Sequence, residues 1–360
     1  MKKGWQIKNL GDLCDILDSQ RKPITKRDRV DGEYPYYGAT GVLDYVAGYI
    51  FDEPLVLVGE DGAKWASGEN TAFAVSEKCW VNNHAHVLRP NRSILLDNWL
   101  IHFLVHSDLL PFVSGLTVPK LNQGSLREIP IPVPPLPEQQ RIVAILDEAF
   151  AAIATARTNA EQNLKNAREL FESHLQQVFS QKGEGWVEVR FEDCIRLKSG
   201  ENLTSKQMSD DGLYPVFGGN GIAGKHDSFN LSGDNVIIGR VGALCGNVRH
   251  IREKIWLTDN AFKVVDMQYV FDNAFLTYLL NNKDLRSYAR QAAQPVISNS
   301  SLKDVLLKFP KDVKEQSRIV YRLDALRSET QRLEAIYQQK ITALDELKKS
   351  LLHQAFSGAL

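Results

Sequence analysis

Few side chains in this sequence stand at the spacing of known chemistry. The run His84-Ala85-His86 would put two imidazoles on one face of an extended strand, the beginning of a metal site. A metal ordinarily needs a third ligand, and the matching run later in the chain carries Asn260 and Phe262 at those places. Polar strand residues, or simple surface histidines, are the better reading. "GNGIAG" (Gly219–Gly224) spells the glycine fingerprint of a dinucleotide site, which must open a helix after a strand. Here the turn-rich "KHDSFNLSGDN" follows, so a glycine-rich turn is expected. Asp312–Lys314 and Glu346–Lys348 echo the carboxylate-lysine end of nuclease sites. Both fall at or in helical stretches, where such charges line a solvated face. The Asn/Asp-Pro-Pro-aromatic motif of amino-methyltransferases is absent, because Leu136 follows Pro134 and Pro135. Cys14, Cys79, Cys194 and Cys245 are isolated from one another, which fits buried thiols in a reducing compartment and neither a zinc site nor a disulfide framework. No catalytic constellation and no metal site emerge.

The elements that would position a site are written twice. "GEYPYYGATG" (Gly32–Gly41) recurs as "GLYPVFGGNG" (Gly212–Gly221), and "VLVGEDGA" (Val56–Ala63) as "VIIGRVGA" (Val236–Ala243), each 180 residues on. "WVNNHAH" (Trp80–His86) returns as "WLTDNAF" (Trp256–Phe262), "EQQRIV" (Glu138–Val143) as "EQSRIV" (Glu315–Val320), and "ELFESHLQQVFS" (Glu169–Ser180) as "ELKKSLLHQAFS" (Glu346–Ser357). Five blocks in constant order mark a tandem duplication with pseudo-two-fold symmetry as its natural geometry. At 360 residues, 43% hydrophobic and 24% charged, the chain has the composition of a globular protein with room for two or three domains. The basic opening at Met1 lacks the apolar core of a signal peptide, and no apolar run reaches transmembrane length.

Each copy reads as a mixed unit of short β-branched strands and turns, with a short amphipathic helix at Leu100–Leu110 and at Ala274–Leu285. Each then launches a long helix. Pro137 suits a first turn and Glu138 meets the N-terminal dipole. From Ile142 to Val178 apolar residues fall at steps of three and four. Ile319, Leu323, Leu326, Leu333, Tyr337, Leu344, Leu347 and Leu351 do likewise, with Thr330 and Lys340 as polar interruptions. Each stretch is about 40 residues, roughly 60 Å if helical. Two such narrow stripes bury each other best as an antiparallel coiled coil; packing of both helices into one compact core is the alternative. The expected fold class is α/β in the mixed α+β sense. The divisions are 1–136, a long helix over 137–181, 182–312, and a long helix over 313–360.

"LNQGSLREIPIPVPPLPEQQRIV" (Leu121–Val143), the two long helices, and the paired "YPYYGATG"/"YPVFGGNG" and "VGEDGA"/"IGRVGA" loops together resemble the specificity subunit of type I restriction-modification systems. The second copy departs at "FPKDVKEQ" (Phe309–Gln316), which lacks the proline cluster. The resemblance implies a non-catalytic, cytoplasmic reader of double-stranded DNA. Two target recognition domains would each read half of a bipartite, asymmetric sequence. The helices would space the halves and dock two methyltransferase subunits, with restriction/translocase subunits beyond them. It further implies no membrane partner and no cofactor on this chain, S-adenosylmethionine, ATP and magnesium belonging to the partner subunits.

The DNA-contact candidates are polar and basic turn residues at matching places: Asn82, Asn83 and His84 against Thr258, Asp259 and Asn260, and Lys120, Asn122 and Gln123 against Val296, Ser298 and Asn299. Asn and Gln pair bidentately with adenine and Arg with guanine, while Lys and Ser hold phosphates. Asn220 and Arg240, the latter at the place of Glu60, join them; Tyr37 and Phe217 suit core and contact equally. The near-identical Glu138, Gln139, Arg141 and Ile142, with Glu315, Gln316, Arg318 and Ile319, serve the coiled coil or dock an identical partner at each end. Net charge is −1 and neither globular stretch is broadly basic, unlike a stand-alone DNA binder. A duplicated scaffold that binds only proteins is the competing reading.

Overall fold

Short β-branched runs bounded by glycine and asparagine turns make each copy a set of small sheets, and the copies match strand for strand. The computed structural model describes residues 4–115, 117–180, 183, 185–290 and 294–360. Met1–Lys3 and the division expected at 181/182 lie outside the described residues. In the first copy a four-stranded antiparallel sheet has the order Cys14–Ile16, Ala85–Pro90, Leu55–Gly59, Ala72–Val75. A three-stranded sheet has the order Gly41–Val46, Asp31–Gly38, Trp80–Val81, the last pair parallel. The second copy repeats both orders, with Arg196–Ser199, Ala261–Val265, Asn235–Gly239 and Val248–Ile251, then Gly221–His226, Tyr214–Gly218 and Trp256–Leu257.

A two-stranded ribbon ties each copy's start to its end. Gln6–Asn9 pairs with Pro130–Val133, and Trp186–Arg190 with Leu306–Pro310. Pro130 and Pro132 alternate, so their missing N–H groups fall on one edge of the strand while Ile131 and Val133 turn into the core. Just before the expected division at 136, the first two prolines of the cluster belong to the strand that closes the fold. The short helices are Asp97–His106 and Asn273–Asn282. The second is capped by Asp272, whose carboxylate accepts from the N–H groups of Ala274 and Phe275.

The two long helices are Leu136–Ser180 and Val313–Ser357, 45 residues each. The chain closes into two compact units, Met1–Glu161 with Gln338–Leu360, and Gln162–Tyr337. Each unit thus holds one copy and half of each long helix, so the helices are divided between units and not set apart as connector domains. In the first unit the halves run antiparallel: Arg157 pairs with Asp345, and the Arg141 guanidinium donates to the Leu360 carbonyl at 2.9 Å. Ile142, Leu146, Leu352 and Ala355 join Trp5 and Trp99 in one core. In the second unit Arg168 pairs with Glu334 at 3.1 Å, and Leu175, Phe179, Ile319 and Leu323 join Phe275, Leu279 and Phe309.

The stripe on the terminal helix differs from its expected course. Leu347, assigned to it from spacing alone, is 47% exposed, whereas Ile341 and Thr330 are buried. Beyond Tyr337 the stripe takes a second step of four, to Ile341, then runs through Leu344. The central helix has the same pair of steps at Ala156, Ala160 and Leu164, with Ala160 1% exposed. Two successive fours make a stutter, which locally unwinds a left-handed supercoil.

Candidate nucleic-acid interface

In the first copy the candidate residues gather where the loop after Gly59, the loop before Ala85 and the segment Ser114–Asn122 meet; Asp61 and Ser114 both bridge to Lys120. Their roles divide by burial. Asn82 is 3% exposed; its N–H donates to the Tyr37 carbonyl at 3.0 Å and its Oδ1 accepts from the His84 N–H at 2.7 Å. It holds the turn from inside. Asn83 and His84 remain at the surface, His84 paired with Asp61. Asn122 caps the short helix Gln123–Arg127, and Gln123 donates to Asp18 at 3.2 Å. Tyr37 lies in the core, its hydroxyl donating to Glu77 at 2.9 Å.

Behind this surface lies a charged network to which, of the DNA-contact candidates, only Lys120 belongs. His86 is fully buried on its strand, not beside His84 on an exposed face, because His84 belongs to the preceding turn. Its Nε2 donates to the Leu121 carbonyl at 2.7 Å and its Nδ1 lies 2.6 Å from Asp18. Glu60 takes Arg21 on one oxygen and Lys120, at 2.8 Å, on the other. Among the described residues Asp18, Glu60 and His86 form the one set within metal-holding reach, ligand atoms within 4.8 Å. Both imidazole nitrogens and both Glu60 oxygens are already committed, and two cations flank the set, so it reads as a closed ion-pair network. No sequence signal marks it, since the Asp18–Arg21 turn, Glu60, His86 and Lys120 lie far apart in the chain.

Burial pushes the Asp18 carboxyl up, but the His86 bond and charge, the Val87 N–H and Arg21 more than offset it, leaving it below its ordinary value. Burial likewise raises Glu60, while Lys120, Arg21 and His86 hold it below. A depressed carboxylate stabilises the fold above its unfolded pKa and loses that contribution as pH falls through the folded one. Glu60→Gln should therefore lower the urea midpoint at pH 7, and the gap from the parent should narrow once pH drops below about 4.3. An equal gap at pH 7 and pH 3 would contradict this.

The second copy builds the same place from other chemistry. Arg240 stands where Glu60 does, and its guanidinium lies 5.4 Å over Phe262, which replaces His86. It reaches the Ser199 hydroxyl at 3.4 Å and the Asp259 carbonyl at 3.3 Å, and its Nε is buried without a partner among the described residues. Thr258 is buried and repeats the role of Asn82, its N–H donating to Phe217 at 2.9 Å. Ser298 caps Asn299–Leu302, and Asn299 clamps both backbone groups of Leu197 at 2.9 and 3.0 Å. Phe217 is core. Asp259 is half-buried, while Asn220 and Asn260 are exposed. Asn220 accepts from the Leu244 N–H at 2.9 Å. The matched turn residues thus split into braces bonded to the backbone, buried (Asn82, Thr258) or nearer the surface (Asn122, Ser298, Asn299), and surface groups.

The helix starts divide the same way. Gln139 and Gln316 are 0% exposed. Gln139 accepts from Leu96 and donates to Ile94 and Pro134; Gln316 accepts from Asp272 and donates to Val270 and Pro310. These amides fasten each long helix to the turn that leads into the short helix and to the end of the closing strand, so their repetition reflects the duplicated fold. Ile142 and Ile319 are core. Glu138 with Arg141, and Glu315 with Arg318, pair near the surface at 2.8 and 3.2 Å.

The family model for the type I restriction modification DNA specificity domain matches residues 2–165 and again 183–343. The chain belongs to that family. Both copies are therefore family domains, each running from its globular stretch into a long helix. A putative type I restriction enzyme specificity subunit, S.HindORF215P of Haemophilus influenzae, is 40% identical over 144 residues, 40% of this chain and 37% of that protein. The EcoprrI specificity subunit of Escherichia coli is 30% identical over 195 residues, 51% of this chain and 48% of that protein. The chain spans less than half the length of each of these two relatives. A solved chain from work on complex assembly and conformational transition of the type I R-M system aligns over 100% of this chain and 99% of its own, at 19% identity and TM-score 0.75. The HsdS subunit of Thermoanaerobacter tengcongensis aligns over 100% and 98%, at 20% identity and TM-score 0.59. At such identities these two establish the fold.

Proposed function

We propose that this chain is the DNA sequence-reading subunit of a type I restriction-modification enzyme. The first unit reads one half of a bipartite, asymmetric target and the second unit reads the other. One observation carries the reading: the two units share every strand, yet the turns at the matching surface carry Asn83, His84 and Lys120 in one and Asp259, Asn260 and Val296 in the other. Equal scaffolds with unequal polar surfaces are what two different half-sites require. The long helices set the spacing. Their starts, the second of which carries Arg318 and Tyr321 beside a shallow hollow, are where two modification subunits dock, with restriction subunits joining in a cytoplasmic complex. No helix among the described residues is long and apolar enough to cross a membrane.

The chemistry belongs to the partners. Burial pushes the thiols of Cys14, Cys79 and Cys194 up to about 12, which removes them as nucleophiles. S-adenosylmethionine, ATP and magnesium are assigned to the other subunits. The test mixes the chain with its modification subunits, S-adenosylmethionine and a duplex library randomised at every position. Methylated products should share two unequal half-sites at fixed separation, and calorimetry of the chain alone should show no binding of S-adenosylmethionine or ATP. Methylation without sequence preference, or stoichiometric cofactor binding by the chain alone, would refute the assignment.

A further inference from the structure

The second unit contains a cavity of about 970 Å³ whose lining includes Arg249, Phe217, Asn247, Gln176, Asn281 and Arg327. Arg249 sits on the edge strand Val248–Ile251, opposite Ile237. By strand alternation it shares a face with Ile251, and Ile237, Ile251 and Phe217 form one apolar cluster. Its guanidinium lies against the hairpin turn at Gly221, where a Cβ would stand 3.2 Å from Nη2.

The arginine is half-buried, yet among the described residues it makes no hydrogen bond and no ion pair. Burial alone holds its pKa below the ordinary arginine value. The neighbours His250 and Arg252, by contrast, are both held by Asp234. A guanidinium has five donors and no acceptor, and withdrawing it from water without a partner costs stability. The fold does not require this. In the first unit the same register position, opposite Leu57, is Phe73, which packs on Tyr37 with ring centroids 5.7 Å apart. Tyr37 is the counterpart of Phe217, so one unit closes the rim of its small core with an aromatic ring and the other with an unpaired fork of donors.

We propose that Arg249 is a specificity-determining residue of the second unit, presenting its guanidinium to O6 and N7 of one guanine in the half-site that unit reads. This rests on the DNA-reading function proposed above. The fork matches that pair of acceptors, the commonest specific contact of arginine with DNA. Its recessed place beside a hairpin turn, at a cavity of about 970 Å³, favours a base over a phosphate on an open rim.

The experiment repeats the selection from randomised duplexes with the assembled methyltransferase carrying Arg249→Phe or Arg249→Lys. Phenylalanine is the residue the first unit holds at this place, so the fold should accept it, and an unchanged thermal midpoint checks that. The parent should select two half-sites, one containing a guanine that Arg249→Phe no longer requires. Discrimination at that position should fall roughly 10- to 100-fold, with the other half-site untouched. Arg249→Lys should lose the same preference while keeping the salt dependence of binding. Unchanged selection in both variants would make Arg249 a packing residue and overturn the proposal. Weakening of all sequences alike, with a salt slope smaller by about one, would make it a phosphate contact and also overturn it. A parent that selects no bipartite sequence would instead fail the DNA-reading function itself, and the proposal with it.

Discussion

Replacing Gln139 with leucine is expected to lower the stability of the first unit by about 3 to 5 kcal/mol. The amide is fully buried and makes three bonds to backbone, accepting from Leu96 at 2.9 Å and donating to Ile94 and Pro134, each at 2.8 Å. Leucine fills the same space but leaves one N–H and two carbonyls without partners. Each orphan costs roughly 1 to 3 kcal/mol, partly offset by the transfer of an apolar side chain. Against a total stability of roughly 5 to 15 kcal/mol such a loss is severe. Gln316→Leu should act alike in the second unit, where the partners are Asp272, Val270 and Pro310. Urea denaturation would show the fall, and hydrogen exchange at the Leu96 N–H would place it. Arg318→Glu is the control: that side chain is 70% exposed, so reversing its charge should leave the midpoint nearly unchanged and weaken only assembly. If Gln139→Leu kept the parent midpoint and lost only the modification subunits, the amide would belong to a docking surface.

That contrast shows where the sequence stopped being legible. The duplication, the long helices and the family likeness rest on repeated blocks and apolar spacing, which survive in one dimension. A glutamine in the first turn of a helix ordinarily faces water, so nothing local told that Gln139 turns inward, and its repetition could be read as docking. Matched turns point to Asn82 and Thr258, yet their bonds to Tyr37 and Phe217 make them braces, with Asn83, His84, Asp259 and Asn260 nearer the surface. The Asp18, Glu60 and His86 network joins three separate segments, and only the sheet register brings them together. Arg249 escaped for the same reason: "AFAV" and "VRHI" share no letters in register, and the correspondence of Phe73 with Arg249 appears only through Leu57 and Ile237. On the terminal helix a strict three-four count misplaces Leu347, because the second step of four at Tyr337 puts Ile341 on the stripe in place of Lys340 and leaves Leu347 outside it, while Leu344 stays on it.

That stutter decides how an added turn should be tolerated. Inserting four residues after Ala160 and four after Tyr337 lengthens each long helix by about 6 Å, nearly two base pairs at about 3.4 Å each. Without the existing stutter, each insertion would break a strict seven-residue repeat and rotate everything beyond it. Here both sites already lie between successive steps of four: Ala156, Ala160 and Leu164 on one helix, Leu333, Tyr337 and Ile341 on the other. A further four extends a stretch that is already unwound toward an eleven-residue repeat, so the stripe stays continuous and the strain remains local. Ala160 is buried and small, and the added residue in its place should be alanine. The double variant, assembled with its modification subunits, should methylate the same two half-sites with one or two more base pairs between them, read by selection from randomised duplexes. Either single insertion should be less active, because one helix is then longer than its partner. Parent spacing with full activity in the double variant would mean the helices do not set the gap. Changed half-sites would mean that reading and spacing are not separable, since no residue of either globular stretch has been altered.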